Sequence, residues 1–193
     1  MYSVALQSEL TRPLTIPKIE SGTDISDYLG PYKHQFPKFN HRLFFVNDES
    51  PNILFHLPTS DPKLSLCLPA RFFDNDYYEE VGAIGFNVIG SDTTLIKLMQ
   101  GVNGGYVDFK PQEFLPRDFG GTAVGIMCDF AYDFGISTVR IRRAEDDLYY
   151  HDPWDVPLKE IPALQARMRK RYDGTAERLG FTLNSDGVFE KRI

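Results

Sequence analysis

The sequence predicts a single α+β domain, a mixed sheet of about six or seven strands, antiparallel in its N-terminal part, with helices packed on it. Three observations carry this. Eight of the thirteen prolines lie between Pro13 and Pro69, where the apolar residues come as short extended runs and long helices are excluded. The stretch 119–136 (FGGTAVGIMCDFAYDFGI) is apolar on almost every face, the signature of a buried helix. Beyond it STVRI, an amphipathic segment and a closing hairpin follow in order. A chain of 193 residues fits one domain at a prior of ~150 residues each. Its 42% hydrophobic and 25% charged content is that of a globular protein with a real core.

Residues 1–39 are rich in Ser, Thr, Pro and Gly and read as an extended arm on the surface, leaving 40–193 as the domain. The arm's one helical stretch is 23–29, with Thr23 or Asp24 as its cap. RLFFV (42–46), NILFH (52–56) and KLSLCL (63–68), parted by DESP and PTSDP, are strands of an antiparallel meander. Residues 80–88, 93–98 and 106–109 add three more strand segments. The buried helix is expected over 121–134, with Thr122 as cap and Gly135 as left-handed C-terminal residue. Residues 137–141 return as a strand, parallel to its predecessor because a helix crossover joins them. An irregular acidic, aromatic excursion over 144–157 precedes a helix over 158–171, a last helical turn over 175–179, and a hairpin of 181–183 with 188–191.

Several function classes are excluded or weakened at once. The net charge of −6 argues against a protein whose main task is coating nucleic acid. No uncharged apolar run reaches the ~18 residues of a membrane span, and the N-terminus lacks the basic start and apolar stretch of a signal peptide, so a cytoplasmic protein, or one assembled into a particle, is expected. Cys67 and Cys128 are too few for a disulfide framework or a four-cysteine zinc site and read as small buried hydrophobes. His34, His41, His56 and His151 are dispersed without metal-ligand spacing. The adjacent acids Glu79 and Glu80, or Asp146 and Asp147, point apart and read as solvated charge rather than an acid-base pair.

Chemistry concentrates where a strand feeds Arg117, Gly120, Gly121, Thr122 and Ala123. A glycine turn at a helix N-terminus aims unpaired N–H groups outward with the helix dipole behind them, which suits a phosphate or pyrophosphate; Arg117 adds a charged clamp. The same glycines equally make a tight turn that lets a buried helix approach the sheet. The pattern is neither a Walker loop nor a dinucleotide fingerprint.

The order of strand, glycine loop, buried helix, strand, second helix, Leu-Gly-Phe, strand, turn and strand, ending ERLGF and GVFEKRI, resembles the C-terminal half of the GNAT acyltransferase superfamily over about the last ninety residues. That resemblance implies acyl-coenzyme A as cosubstrate, its pyrophosphate at Arg117 and Gly120 to Ala123, its pantetheine in a splay between two parallel strands, and acyl transfer to an amine. By position it gives Asp108, or a nearby water, the amine's proton, and Tyr172 the role of protonating the thiolate. The loop reads RDFGGTA, so the family's second glycine falls on Thr122, or, with the register moved by one, Asp118 stands where Arg or Gln is usual. The family's tyrosine falls on Ala176, which leaves Tyr172 one helical turn earlier as the nearest phenol.

The resemblance covers an active acyltransferase or a non-catalytic relative of one; a reading from another class is a structural or adaptor protein, such as a component of a virion, acting through its surface. Residues 1–39 would gain order by lying on a neighbour, and 145–157, with Tyr149, Tyr150, His151 and the only tryptophan, Trp154, offer a second docking surface. The same aromatics alternatively fold back to plug the core edge. The run RMRKR (167–171) reads as a solvated helix face or a partner for the chain's own acids.

Overall fold

Prolines recur among strand-forming residues as far as Pro69, which excludes long regular helices there and leaves extended segments to make the backbone pairing. The computed structural model describes residues 19–36, 42–47, 51–58, 70–73, 76–101 and 115–193. Among the described residues nine strands belong to a mixed sheet in an α+β fold. They are β1 (Thr23–Asp24), β2 (Arg42–Asn47), β3 (Pro51–Pro58), β4 (Ala70–Phe73), β5 (Asp76–Ile89), β6 (Thr93–Gly101), β7 (Thr138–Ile141), β8 (Thr182–Leu183) and β9 (Phe189–Arg192). The helices are α1 (Phe119–Asp133), α2 (Leu148–His151), α3 (Ile161–Arg171) and α4 (Asp173–Arg178). The strand number exceeds the expected six or seven because β1 lies in a segment read as helical and ARFF of β4 in one assigned to no element. The expected strands at 63–68 and 106–109 lie outside the described residues.

The chain divides into two compact units, one of Ile19–Gly85 with Lys97–Phe130, the other built of Phe86–Ile96 and Ala131–Ile193. In the first, β1, β2, β3 and β5 pair antiparallel in that order, and β4 pairs with β5. Leu43, Phe44, Phe45 and Val46 of β2 are all buried, which an edge exposed on one side would not give. Alternation sends them to opposite faces. Phe44 and Val46 pack with Ala83 and Leu98, while Phe45 stacks on Phe130 of α1 at 5.9 Å between ring centroids.

The helix expected over 23–29 is a 3-10 segment at Ser26–Gln35 instead. Thr23 and Asp24 are taken into β1 opposite Phe45 and Phe44, and the Asp24 carboxylate accepts the Ser26 N–H at 2.8 Å. Pro31, lacking an N–H, keeps the segment from settling into a regular α-helix. Ile25, Leu29 and Phe36 bury its apolar side.

Helix α1 is covered from both directions in this unit. Ala123, Val124, Ile126, Met127 and Phe130 are buried, and Tyr28 meets Phe130 edge-on at 5.5 Å. Tyr32 lies across the helix at Gly125, where an added Cβ would come within 2.7 Å of the phenol oxygen and 2.8 Å of a ring carbon. That approach lets the Tyr32 hydroxyl donate to Asp129 Oδ2 at 3.0 Å. Burial first, and the Asp129 carboxylate second, push the Tyr32 phenol well above its ordinary value.

In the second unit β6 and β7 pair in parallel, Thr93–Ile96 against Thr138–Ile141, as expected for STVRI. β7 pairs antiparallel with β9, and β9 with β8, so the hairpin's second strand lies beside β7. Arg140 and Glu190, directly opposite, join at 2.7 Å. The α1 helix closes as expected at Gly135, φ 74°, with Ile136 N–H reaching the Ala131 carbonyl at 2.9 Å. The helix expected over 158–171 begins as a 3-10 turn, Leu158–Glu160, because Pro162 sits in the first α-helical turn of α3.

Two outcomes test the Tyr32 packing. Gly125→Ala is expected to cost about 1–3 kcal/mol in the native chain by displacing Tyr32, yet to stabilise by up to about 1 kcal/mol in a Tyr32→Ala background, where only helix propensity remains; urea titrations of the four proteins check the reversal of sign. A phenol whose folded value is raised contributes stability that is complete below the ordinary value near 10 and is lost as pH rises through the folded value. Native stability therefore falls more steeply than that of Tyr32→Phe above about pH 10, measurable by denaturant titration across that range.

Candidate functional site

The glycine segment lies at the start of α1 within the first unit, and its geometry follows from one residue, Asp118. A helix begins with amides that no preceding turn can satisfy. Asp118 Oδ1 accepts the Gly121 N–H at 3.1 Å, and the Asp118 carbonyl accepts the Thr122 N–H at 3.0 Å. Asp118 is thus the N-cap, two residues ahead of Gly120, and α1 starts at Phe119 rather than at the expected Gly121. Thr122, expected as the cap, stands inside the first turn and is buried. Its hydroxyl lies 2.6 Å from Gln35 Oε1 and 3.0 Å from the Asp118 carbonyl, which ties the helix start to the 3-10 segment.

Gly121 is neither in a left-handed turn nor against the sheet. An added Cβ would land on the Asp118 carboxylate, so the glycine makes room for the cap. Arg117 is exposed, Gly120 half-buried and Ala123 buried. The structure brings Arg117, Gly120, Gly121, Thr122 and Ala123 together on one turn. Sequence reasoning missed Asp118 and Gln35; Asp118 was legible as an Asp three residues before a helical Gly, whereas nothing in the sequence pairs position 35 with position 122.

Asp108 lies outside the described residues. Tyr172 is buried at the junction of α3 and α4 in the second unit, where its carbonyl accepts the Ala176 N–H at 2.9 Å. Next to it Asp173 accepts the Ala144 N–H at 2.9 Å.

Cys67, His41 and the side chains of His56, Glu79 and Glu80 lie outside what the structure describes; several of the remaining candidates serve the fold. Asp147 is held by Arg142 and accepts the Tyr149 N–H at 3.0 Å, which makes it the cap of α2. His151 Nε2 lies 2.6 Å from the Glu145 carbonyl. Cys128 is half-buried within α1. In the RMRKR run Met168 is buried and the Arg169 guanidinium sits 5.5 Å over the Tyr150 ring, so the run is one side of α3 with a stacked cation. Among the described residues no group of three or more His, Cys, Asp or Glu could hold a metal ion, and no helix is long and apolar enough to cross a membrane. No family model, curated protein or solved structure matches the chain.

The cap makes a prediction of its own. Asp118→Ala is expected to cost about 1 kcal/mol, and Asp118→Asn only a few tenths, since asparagine caps about as well. Gly121→Val displaces the same carboxylate, so its effect and that of Asp118→Ala are non-additive. A double-mutant cycle by thermal or urea unfolding measures the overlap.

Proposed function

We propose that the chain is a GNAT-like acyltransferase that binds an acyl-coenzyme A and passes the acyl group to an amine. The observation that supports this reading is the parallel pair β6 and β7, reached through α1 and followed by two helices and a hairpin whose second strand pairs with β7. The resemblance to that superfamily implies a pyrophosphate at the start of the helix that leads into the second strand of such a pair. Here that start is Arg117 to Ala123.

In the reaction the amine nitrogen attacks the thioester carbonyl, the carbon–sulfur bond breaks, the amine loses a proton and the departing thiolate gains one. Asp108 is assigned the first proton and Tyr172 the second.

Asp118 sets the strength of binding. Its carboxylate already occupies the Gly121 amide, and its charge opposes a pyrophosphate at the same helix end. A bound pyrophosphate has to displace it. Asp118→Asn keeps the cap and removes the charge, so acetyl-coenzyme A is expected to bind about tenfold more tightly, ~1.4 kcal/mol. Arg117→Ala weakens binding. Isothermal titration of the three proteins, with thiol release followed in the presence of primary amines, is the test. Absence of heat with both the native chain and Asp118→Asn sinks the reading, and heat without thiol release reduces it to a binding protein.

A further inference from the structure

Two Asp–Gly steps lie in the second unit, Asp173–Gly174 and Asp186–Gly187. Such a step is among the places where a peptide chain reacts with itself, because glycine has no Cβ to keep its backbone nitrogen away from the preceding carboxyl. The fold treats the two steps differently. Asp173 opens α4, where its carboxylate accepts the Ala144 N–H at 2.9 Å and the helical backbone holds the following amide in place. Asp186 stands exposed in the turn between β8 and β9, and no hydrogen bond or ion pair engages its carboxylate among the described residues.

The turn is built by Asn184. Its side-chain oxygen accepts the Asp186 and Val188 N–H groups, both at 3.0 Å, and its amide donates to Glu190 Oε2 at 3.3 Å. The Asn184 amide is thereby taken, whereas the Asp186 carboxyl is open to attack. Gly187, at φ 79°, has open space around its α-carbon. Its N–H donates to the Asn184 carbonyl at 3.1 Å, so the turn has to open for that nitrogen to reach the carboxyl. Opening is local. β8 is two exposed residues at the end of the strand order, and such a tip frays without unfolding the unit.

We propose that Asp186–Gly187 is a site of spontaneous backbone isomerisation, which converts the hairpin turn from an aspartyl to an isoaspartyl linkage. The Gly187 nitrogen bonds to Asp186 Cγ, the Cγ–OH bond of the carboxylic acid breaks, and the amide proton leaves with that hydroxyl as water, closing a succinimide ring. Water then adds to the ring. Rupture of the Cγ–N bond restores aspartate. Rupture of the bond between the Asp186 main-chain carbonyl carbon and the Gly187 nitrogen leaves the chain running through the side chain, with the former main-chain carbonyl as a free carboxylate. The net charge is unchanged and one carbon is inserted into the turn. The Asp186 and Val188 amides then no longer both reach Asn184 Oδ1, so the pairing of Thr182 with Glu190 and of Leu183 with Phe189 loosens. None of this rests on the acyltransferase reading.

Trypsin supplies the readout. Cleavage after Arg178 and Lys191 releases 179–191, in which Asp186 is the only aspartate, and cleavage after Arg171 and Arg178 releases 172–178, which carries Asp173–Gly174 as an internal control. The full chain is aged for weeks in mildly acidic buffer at physiological temperature, folded and, in parallel, in guanidinium chloride. The digests are treated with an isoaspartate O-methyltransferase and labelled S-adenosylmethionine, which methylate the free main-chain carboxylate of isoaspartate. From the folded chain, 179–191 is expected to split into two species of equal mass and to take up label at residue 186, while 172–178 does neither; from the unfolded chain both peptides take it up. Asp186→Glu, whose longer side chain closes the ring poorly, is expected to lose the label at an unchanged melting temperature. The proposal is overturned if 179–191 converts only in the unfolded chain, since the turn then protects the step. It is equally overturned if 172–178 converts as fast in the folded chain, since the fold then selects nothing, or if the new species carries the mass change of amide-to-acid exchange, which puts the reaction at Asn184.

Discussion

The structure of the first unit depends on covering a helix that has almost no polar side. Residues 119–133 carry apolar groups nearly all round, and such a helix is stable only if other elements close over it on every flank. The strands supply one cover, with Phe45 stacked on Phe130 and Gly82 admitting the Phe119 ring, which an added Cβ there would meet at 2.7 Å. The 3-10 segment supplies another, and it is there that the few polar groups of α1 are dealt with. Asp129, a half-buried carboxylate on an apolar helix, is satisfied by Tyr32; Thr122 is satisfied by Gln35. Each fully buried aliphatic or aromatic side chain contributes about 1.5–3 kcal/mol relative to exposure, so the apolar faces carry most of the stability. The two polar pairs decide where along the helix the segment sits.

The same cover explains why the helix start is closed chemically. A free helix N-terminus is a place for an anion, but here the chain provides the anion itself. Asp118 accepts the Gly121 amide, and Gly121 is tolerated because it leaves room for that carboxylate. A glycine in this position therefore serves the cap first, and the pyrophosphate of the proposed cosubstrate would enter only in competition with it. Competition of this kind tunes affinity downward without changing the fold, because asparagine preserves the geometry and only the charge differs.

Much of the architecture is legible in the sequence where a local signal exists. STVRI, the hydrophobic α1 and the Gly135 cap follow from composition and spacing, as do the closing hairpin and its two strands. What was not legible depends on pairing at a distance. Thr23 and Asp24 read as a helix cap, an ordinary local preference, yet the backbone of β2 draws them into a ladder. Asp118, not Thr122, caps α1, a local signal that was passed over; the contact of the Thr122 hydroxyl with Gln35, 87 positions away, is the kind that no periodicity announces. At the candidate site the residue types were visible and their roles were not: glycines next to a helix indicate a close approach, but only coordinates tell whether a ligand or a neighbouring carboxylate is what approaches.

The acidic, aromatic stretch shows the converse case, in which local composition was ambiguous between plug and surface and the structure divides it residue by residue. Tyr150 and Pro153 turn inward and act as the plug; Leu148, Trp154 and Leu158 turn outward. The acids divide in the same way. Asp147 and Glu145 are paired with Arg142 and Arg143 and hold the turn in shape, whereas Asp155 orients Tyr149, and Asp152 stays in solvent. Holding the Tyr149 hydroxyl against a carboxylate raises its pKa, so the phenol remains a donor to Asp155 over the whole physiological range. The edge of the Tyr149 ring meets Trp154 at 5.0 Å between centroids, the indole being otherwise left in solvent. A large apolar group left in water beside a ring that is itself hydrogen-bonded is a feature that folding alone does not call for.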